Sequence, residues 1–255
     1  MEQYTGFAGI YDEFMDNVPY DEWTEYLHGL LMRYGVTDGI LCELGCGTGK
    51  VTRRLAKIGY DMIGIDNSPD MLNIARSREK PGDQSILYLE QEMREFELYG
   101  TVAGVVSICD SMNYILSVRD LKKVFRLVNN YLDPGGIFIF DMNTLHYYRD
   151  VLQDRVICDN RDDCSLIWEN SYEARSGRNR FDLTIFRRED GDLFGKYEET
   201  HFQRAYALKD VRTALEEAGL KVLDTVRAFT EKKASEKDER VYFIAMTKKE
   251  MPFKV

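Results

Sequence analysis

ELGCGTGK, residues 43–50, joins a short apolar run, GILCEL (39–44), to a helical stretch, KVTRRLAKIG (50–59). A strand, a glycine-rich loop and a helix in that order form a ligand cradle of the parallel α/β kind. The fixed positions of the loop narrow the ligand. A phosphate-binding P-loop, GxxxxGK[ST], needs glycine at Leu44 and a hydroxyl residue at Val51, and has neither. A dinucleotide fingerprint, GxGxxG, is met at Gly45 and Gly47 but puts Lys50 where the third glycine allows close helix–strand packing. Glu43 adds a charge argument. A carboxylate at the end of the strand would repel a pyrophosphate at the helix N-terminus, and it suits a ligand that carries positive charge.

The alternation continues outward from the loop. DMIGID (61–66) predicts a second strand, and SPDMLNIARSR (68–78) a helix capped by Ser68 with Pro69 at its first position. SILYLE (85–90), TVAGVVSICD (101–110) and IFIFDMN (137–143) predict three more strands. The amphipathic stretch 118–132 and its DPGG stop lie before the last of them. Asp110 and Asp141 then stand at strand ends around the same crevice as Glu43. After Leu145 the rhythm becomes antiparallel: strand-like runs at 165–174, 180–188 and 193–208, with Phe181, Leu183 and Ile185 alternating with polar residues. A helix (209–219) and strands at 221–229 and 240–248 resume the α/β pattern. The expected fold is α/β: a Rossmann-like sheet with helices on both faces, plus an inserted antiparallel β-meander.

Bulk properties limit the function. With 44 acidic against 34 basic residues the formal charge is −10, which disfavours a nucleic-acid partner, since such affinity rests on neutralising phosphates. No apolar run approaches the roughly 18–20 residues of a membrane span, so no membrane partner is expected. The start, MEQYTGF, lacks the features of a secretory signal, and five cysteines without a CxxC pair read as reduced thiols. A cytoplasmic protein is the expectation. Histidines at 28, 146 and 201 have no metal-ligand spacing, so no metal site is expected.

Together these segments resemble the class I S-adenosylmethionine-dependent methyltransferases, whose first motif is [DE]xGxGxG; Glu43, Gly45, Gly47 and Gly49 match it. The donor carries a sulfonium and an ammonium, in accord with the charge argument. Asp66 ends the second strand about 20 residues after the glycines, where an acid can accept both ribose hydroxyls. LEQEMREF (89–96) is similar to the family's adenine segment, CDSMNYI (109–115) to the segment facing the methionine portion and the substrate, and LDPGGIFIFD (132–141) to its fifth-strand region. The resemblance implies a seven-stranded sheet and S-adenosyl-L-methionine as cofactor, with S-adenosyl-L-homocysteine as product. It implies cofactor contacts at Glu43, Gly45, Cys46, Gly47 and Gly49, at Asp66 and Asn67, at Gln91, Glu92 (to the adenine amino group) and Met93 (on the ring), and at Asp110. The N-terminal stretch 4–23 is similar to small bacterial methyltransferases of the YqeM-like group, and more distantly to N,N-dimethyltransferases of nucleotide-linked amino sugars.

The resulting expectation is a helical cap over 1–36, a donor-binding domain from 37–145 and 208–250, and an inserted lid over 146–207 that covers the acceptor. Tyr4, Phe7 and Tyr11 share a helix face, which is packing or a hydroxyl aimed at the donor. Tyr11, Asp110 and His146 are the catalytic candidates, and Asn113 and Tyr114 the substrate contacts. The arginines of the hairpin (Arg175, Arg178, Arg180, Arg187 and Arg188) read as a solvated face ahead of a phosphate clamp. Methyl transfer is a direct displacement that works largely through positioning, so a missing triad does not argue against an enzyme. CDSMNY replaces the [DN]PP[YFW] of enzymes that methylate planar bases, and no Pro-Cys dipeptide supports cytosine C5 chemistry. An N- or O-methyltransferase of a small molecule is expected. An RNA or protein methyltransferase, a non-catalytic donor-binding regulator and a homodimer stay open.

Overall fold

The computed structural model describes residues 8–250, with side chains from Tyr11 onward. Tyr4 and Phe7, two of the three aromatics on the proposed N-terminal helix face, lie outside the described residues. Two helices come first, α1 (Ala8–Phe14) and α2 (Tyr20–Arg33). The alternating unit follows: β1 (Ile40–Leu44), α3 (Lys50–Ile58), β2 (Asp61–Asp66), α4 (Pro69–Ser77), β3 (Leu87–Glu90), β4 (Val102–Ser107), α5 (Val118–Tyr131) and β5 (Leu132–Asn143). Next come β6 (Val156–Asn160), β7 (Cys164–Glu173), β8 (Arg178–Asp190) and β9 (Leu193–Arg204), and then α6 (Leu208–Glu217), β10 (Leu220–Arg227) and β11 (Arg240–Thr247).

Seven strands form one sheet in the order β10-β11-β5-β4-β1-β2-β3, with β11 antiparallel to both neighbours. Strand order reverses between β1 and β4, which opens a crevice at the carboxyl ends of those strands. Alternation along β5 feeds both layers. Phe138, Phe140 and Met142 pack with Leu121, Val124, Phe125 and Val128 of α5 and with α6. Ile137 and Ile139 point the other way, toward Leu27 and Leu31 of α2 and Leu55 of α3. Phe140 stacks between Phe138 and Phe243, with ring centroids 4.6 and 5.1 Å away.

Local signals act as expected at several ends. Ser68 accepts from Met71 N–H at 3.3 Å with Pro69 behind it, and Ser117 accepts from Asp120 N–H to start α5. The DPGG stop works as a loop inside β5: Val102 and Gly104 of β4 pair with Leu132 and Ile137, so residues 133–136 bulge out of the ladder.

The remaining four strands form a separate antiparallel sheet, β6-β7-β8-β9. Three were legible; β6 was not. It is an edge strand whose apolar residues, Val156 and Ile157, are exposed, so it shows no inward alternation. Among the described residues, no helix is long and apolar enough to cross a membrane.

Candidate active site

The glycine loop leaves β1 and is held to β2 by its backbone: Gly45 and Cys46 N–H donate to the Ile65 carbonyl at 2.8 and 3.0 Å. Gly45, Gly47 and Gly49 all have left-handed φ, 74°, 53° and 70°. Close approach reinforces the need at two of them. A Cβ on Gly45 would lie 2.6 Å from Ser111 Oγ, and one on Gly49 2.5 Å from the Tyr88 hydroxyl.

Asp66, at the end of β2, accepts from Gly47 N–H at 2.8 Å and Ser68 N–H at 2.9 Å, one on each carboxylate oxygen. Burial pushes its carboxyl above the usual range, and these amides oppose the shift. Each oxygen keeps a lone pair for a ligand hydroxyl. Glu43 is more deeply placed, 3 % exposed, and accepts from the Thr52 hydroxyl. Burial pushes it up to about 8, with Thr52 opposing and Asp66 adding to the rise. The expected negative charge beside the loop is therefore largely protonated at neutral pH until a cation arrives.

The acids at the ends of β4 and β5 are not free carboxylates. Arg240, the first residue of β11, donates to Asp110 Oδ1 at 2.6 Å and also to Asp141 Oδ2. Asp110 N–H donates to Asp141 Oδ1 at 2.8 Å, and Gln203 Nε2 donates to Asp110 Oδ2 at 2.7 Å. Burial raises the Asp141 carboxyl, whereas burial of the Arg240 guanidinium is overcome by the two carboxylates that keep it charged. Cys109 and Asp110 are consecutive non-glycine residues at φ 59° and 53°, a strained corner at the mouth of the sheet.

Helix α1 and the second sheet wall the crevice from above. Asp12 of α1 accepts from Thr48 Oγ1 at 2.9 Å and pairs with Lys50 and Arg78. Arg161, between β6 and β7, bonds Asp16 at 2.7 Å, Asp159 at 2.8 Å and the Glu13 carbonyl, and lies 5.2 Å over the Phe14 ring. Phe14 packs with Phe181, Leu183 and Ile185 of β8. The cleft between them measures about 930 Å³, in the range of small-molecule sites.

Most residues singled out in the sequence line this cleft. Glu43, Gly45, Cys46 and Gly47 form one end with Asp66 and Asn67. Gln91, Glu92 and Met93 lie beside them, and Tyr11, Asp110 and Tyr114 lie toward the second sheet. Gly49 stays behind the loop, against Tyr88. Gln91 braces its own loop, accepting from Glu97 N–H at 2.8 Å, and Glu92 is paired with Arg94.

Two expected substrate-side residues sit elsewhere. Asn113 is fully buried; its amide donates to the Asn143 and Arg204 carbonyls and accepts from Asn143 N–H, so its polar atoms are engaged in holding the loop after β4. His146 turns to Asp150 at 2.8 Å, one turn along a π-helical segment, and is not part of the cleft wall. The hairpin arginines are also outside it: Arg180 pairs with Asp182, and Arg188 with Asp163 and Asp192.

Several lining residues were not foreseen: Arg240, Gln203, His201 and Trp168. A signal existed for the first three. An antiparallel last strand starts at the ligand edge of a parallel sheet, so the charge that opens RVYFIAMTK lands beside Asp141. On β9 the buried positions are 201 and 203, so a histidine and a glutamine occupy the inward face.

Residues 41–136 match a family model described as a methyltransferase domain. The putative methyltransferase YqeM of Bacillus subtilis (strain 168) is 33% identical over 247 residues, covering 96% of this chain and 98% of the relative. The chain belongs to the class I S-adenosylmethionine-dependent methyltransferases, in the YqeM-like group. A solved S-adenosylmethionine-dependent methyltransferase from Clostridium acetobutylicum ATCC 824 shares this methyltransferase's architecture, with 28% identity, a TM-score of 0.85 and coverage of 96% and 98% of the two chains. A sugar N-methyltransferase from Streptoalloteichus sp ATCC 53650 has the same fold, with a TM-score of 0.78 at 16% identity over 94% and 93%. The protein is thus a methyltransferase enzyme that uses S-adenosylmethionine. Its residues fit that donor: a loop no side chain could replace at Gly45, an acid with lone pairs to spare at Asp66, and a carboxyl at Glu43 that a cation would ionise.

Proposed function

We propose that this methyltransferase moves a methyl group to nitrogen or oxygen of a small molecule held between α1, the loop after β4 and the second sheet. The observation that carries the reading is a continuous cleft of about 930 Å³, which runs from the glycine loop to an aromatic wall on the second sheet. Asp66 would hold the ribose hydroxyls, Glu92 and Met93 the adenine, and Glu43 with Tyr11 the methionine end. The bound donor supplies an electrophilic methyl on a sulfonium. The chain's own residues orient the acceptor and keep water out, which can contribute up to roughly 7–11 kcal/mol in well-oriented systems.

Asp110 acts by position. Arg240 and Gln203 hold its two oxygens, and through them it fixes the loop that carries Ser111 and Tyr114. His146 is left out of the mechanism. Of a cap at 1–36 and a lid at 146–207, the described part from residue 8 onward is supported by the Asp12 contact to the glycine loop and the Asp16 contact to Arg161. The sugar N-methyltransferase among the structural neighbours supports nitrogen as the acceptor atom. Unpaired cysteines at all five positions accord with a cytoplasmic site. The test is incubation with methyl-labelled S-adenosylmethionine and an amine and alcohol library. Label in a small product is expected. Label only in added RNA or protein, or donor binding with no product at all, would overturn the proposal.

A further inference from the structure

Strand order at the ligand edge sets the order of the donor's parts. The adenine segment follows β3, the ribose acid Asp66 ends β2, and the glycine loop leaves β1, each beside the last. The donor's amino-acid end continues in the same direction, to the corner after β4 that Cys109, Asp110 and Ser111 present to the cleft. That corner abuts the loop: a Cβ on Gly45 would meet Ser111 Oγ at 2.6 Å. Ser111 Oγ is itself fixed, donating to the Ile108 carbonyl at 2.9 Å. The position of the corner therefore sets the room beside Gly45 for the amino-acid end.

Two consecutive left-handed residues that are not glycine persist only where their surroundings hold them. Arg240 and the Asp141 carboxylate hold Asp110 from the seven-stranded sheet. A further restraint comes from the second sheet. Gln203 of β9 is buried, and its Nε2 donates to Asp110 Oδ2 at 2.7 Å while its Oε1 accepts from the Tyr148 hydroxyl at 2.8 Å. Tyr148 is fully buried in the π-helical segment after β5. A carboxylate only accepts, so the amide nitrogen must face Asp110, and the tyrosine fixes the amide's other end. The residues that follow Gln203 grip the rest of the turn. The Arg204 carbonyl accepts from Asn113 Nδ2 at 2.9 Å, and the Arg204 guanidinium donates to the Leu116 carbonyl at 2.9 Å. The Tyr206 hydroxyl donates to the Ile115 carbonyl.

We infer that Gln203 is a positioning residue for the donor: acting from the second sheet through Asp110, it holds the corner that bounds the donor's amino-acid end. The inference rests on the donor placement above, with the ribose at Asp66, and extends it to a residue of the sheet that faces the acceptor. The second sheet then affects donor affinity as well as the acceptor. Gln203→Glu makes the contact titratable. Protonated, the new carboxyl donates to Asp110 and accepts from Tyr148 as the amide does; ionised, it sets two carboxylates face to face. Around it stand Asp110 from the turn, with Arg240 of β11 and Asp141 of β5 behind, and Tyr148 from the π-helical segment. Its own strand adds Glu199, His201 and Arg204, and β8 places the uncharged Asn179 opposite.

The test is calorimetric titration of the full chain with two ligands. One is S-adenosylhomocysteine; the other is 5′-methylthioadenosine, which keeps the adenine, ribose and sulfur but lacks the amino-acid end. Gln203→Leu should bind S-adenosylhomocysteine about five- to tenfold more weakly, the scale of one net hydrogen bond, and 5′-methylthioadenosine within about twofold of the wild type. A damaged fold would weaken both. For Gln203→Glu, S-adenosylhomocysteine affinity is compared with the wild type at each pH, which cancels the titration of Glu43 that both proteins share. The two should agree in acid, and the variant should fall toward Gln203→Leu as pH rises. Unchanged S-adenosylhomocysteine affinity in Gln203→Leu, an equal loss of both ligands, or a Gln203→Glu ratio that ignores pH would overturn the inference and leave the ribose site standing. Binding of 5′-methylthioadenosine that Asp66→Ala leaves unchanged would remove the donor placement itself.

Discussion

Glu43 is where the sequence argument and the structure meet at the scale of one residue. Its position at the end of β1 was legible from the motif. Its charge was not, because protonation depends on burial and on Thr52, nine residues further along the chain. In an unfolded chain a glutamate titrates near 4.3; here it is pushed up to about 8. Between those values the folded chain holds a proton that the unfolded chain has released, so stability falls as pH rises through the window. Urea denaturation of the ligand-free protein should give midpoints that decline from about pH 5 to 8, and Glu43→Gln should flatten that decline. Donor binding should reverse the shift at this carboxyl and release a proton. Calorimetry of S-adenosylhomocysteine binding near pH 7, in two buffers of different ionisation heat, should show that release in the wild type and little in Glu43→Gln.

Helix α1 and strand β9 carry the element-scale consequences. Amphipathic spacing made a helix near Tyr11 legible, but its docking was not, because Asp12 and Asp16 find their partners about 36 and 145 residues away, at Thr48 and Arg161. Arg161, between β6 and β7, ties the α1 segment to the second sheet through the Glu13 carbonyl and Asp16, and holds Asp159 on its own side. Arg161→Ala should leave the seven-stranded sheet folded while loosening α1. Limited proteolysis should then cut within residues 8–20 sooner than in the wild type, and S-adenosylhomocysteine should slow that cleavage. β9 reads as an ordinary amphipathic strand until its inward residues are noticed. Gln203 braces Asp110, and His201 faces the cleft from the same surface, so one strand ties the second sheet to the strained corner after β4.

Across the whole molecule, the α/β core was the most legible part, because alternating apolar strands and capped helices are local signals that agree with one another. The ion cluster that ties the two sheets together was not, since Arg240, Asp110, Asp141 and Gln203 come from four separate segments. Asp141 is fully buried, and Arg240→Met would leave it uncompensated, at a cost of about 3–5 kcal/mol in urea denaturation at pH 7. Part of that loss should return at lower pH, where the carboxyl can take a proton, and the deficit should grow as pH rises. Adding Asp141→Leu should recover much of the loss at pH 7. The central claim concerns the crevice itself: that Asp66, fixed by Gly47 and Ser68, grips the ribose of the donor. Isothermal titration of S-adenosylhomocysteine tests it most directly. One saturable site is predicted for the wild type, with affinity about 10- to 100-fold weaker in an Asp66→Ala variant of unchanged circular dichroism, as expected for lost hydrogen bonds to a charged group. No binding by the wild type, or equal affinity in the two proteins, would contradict the account.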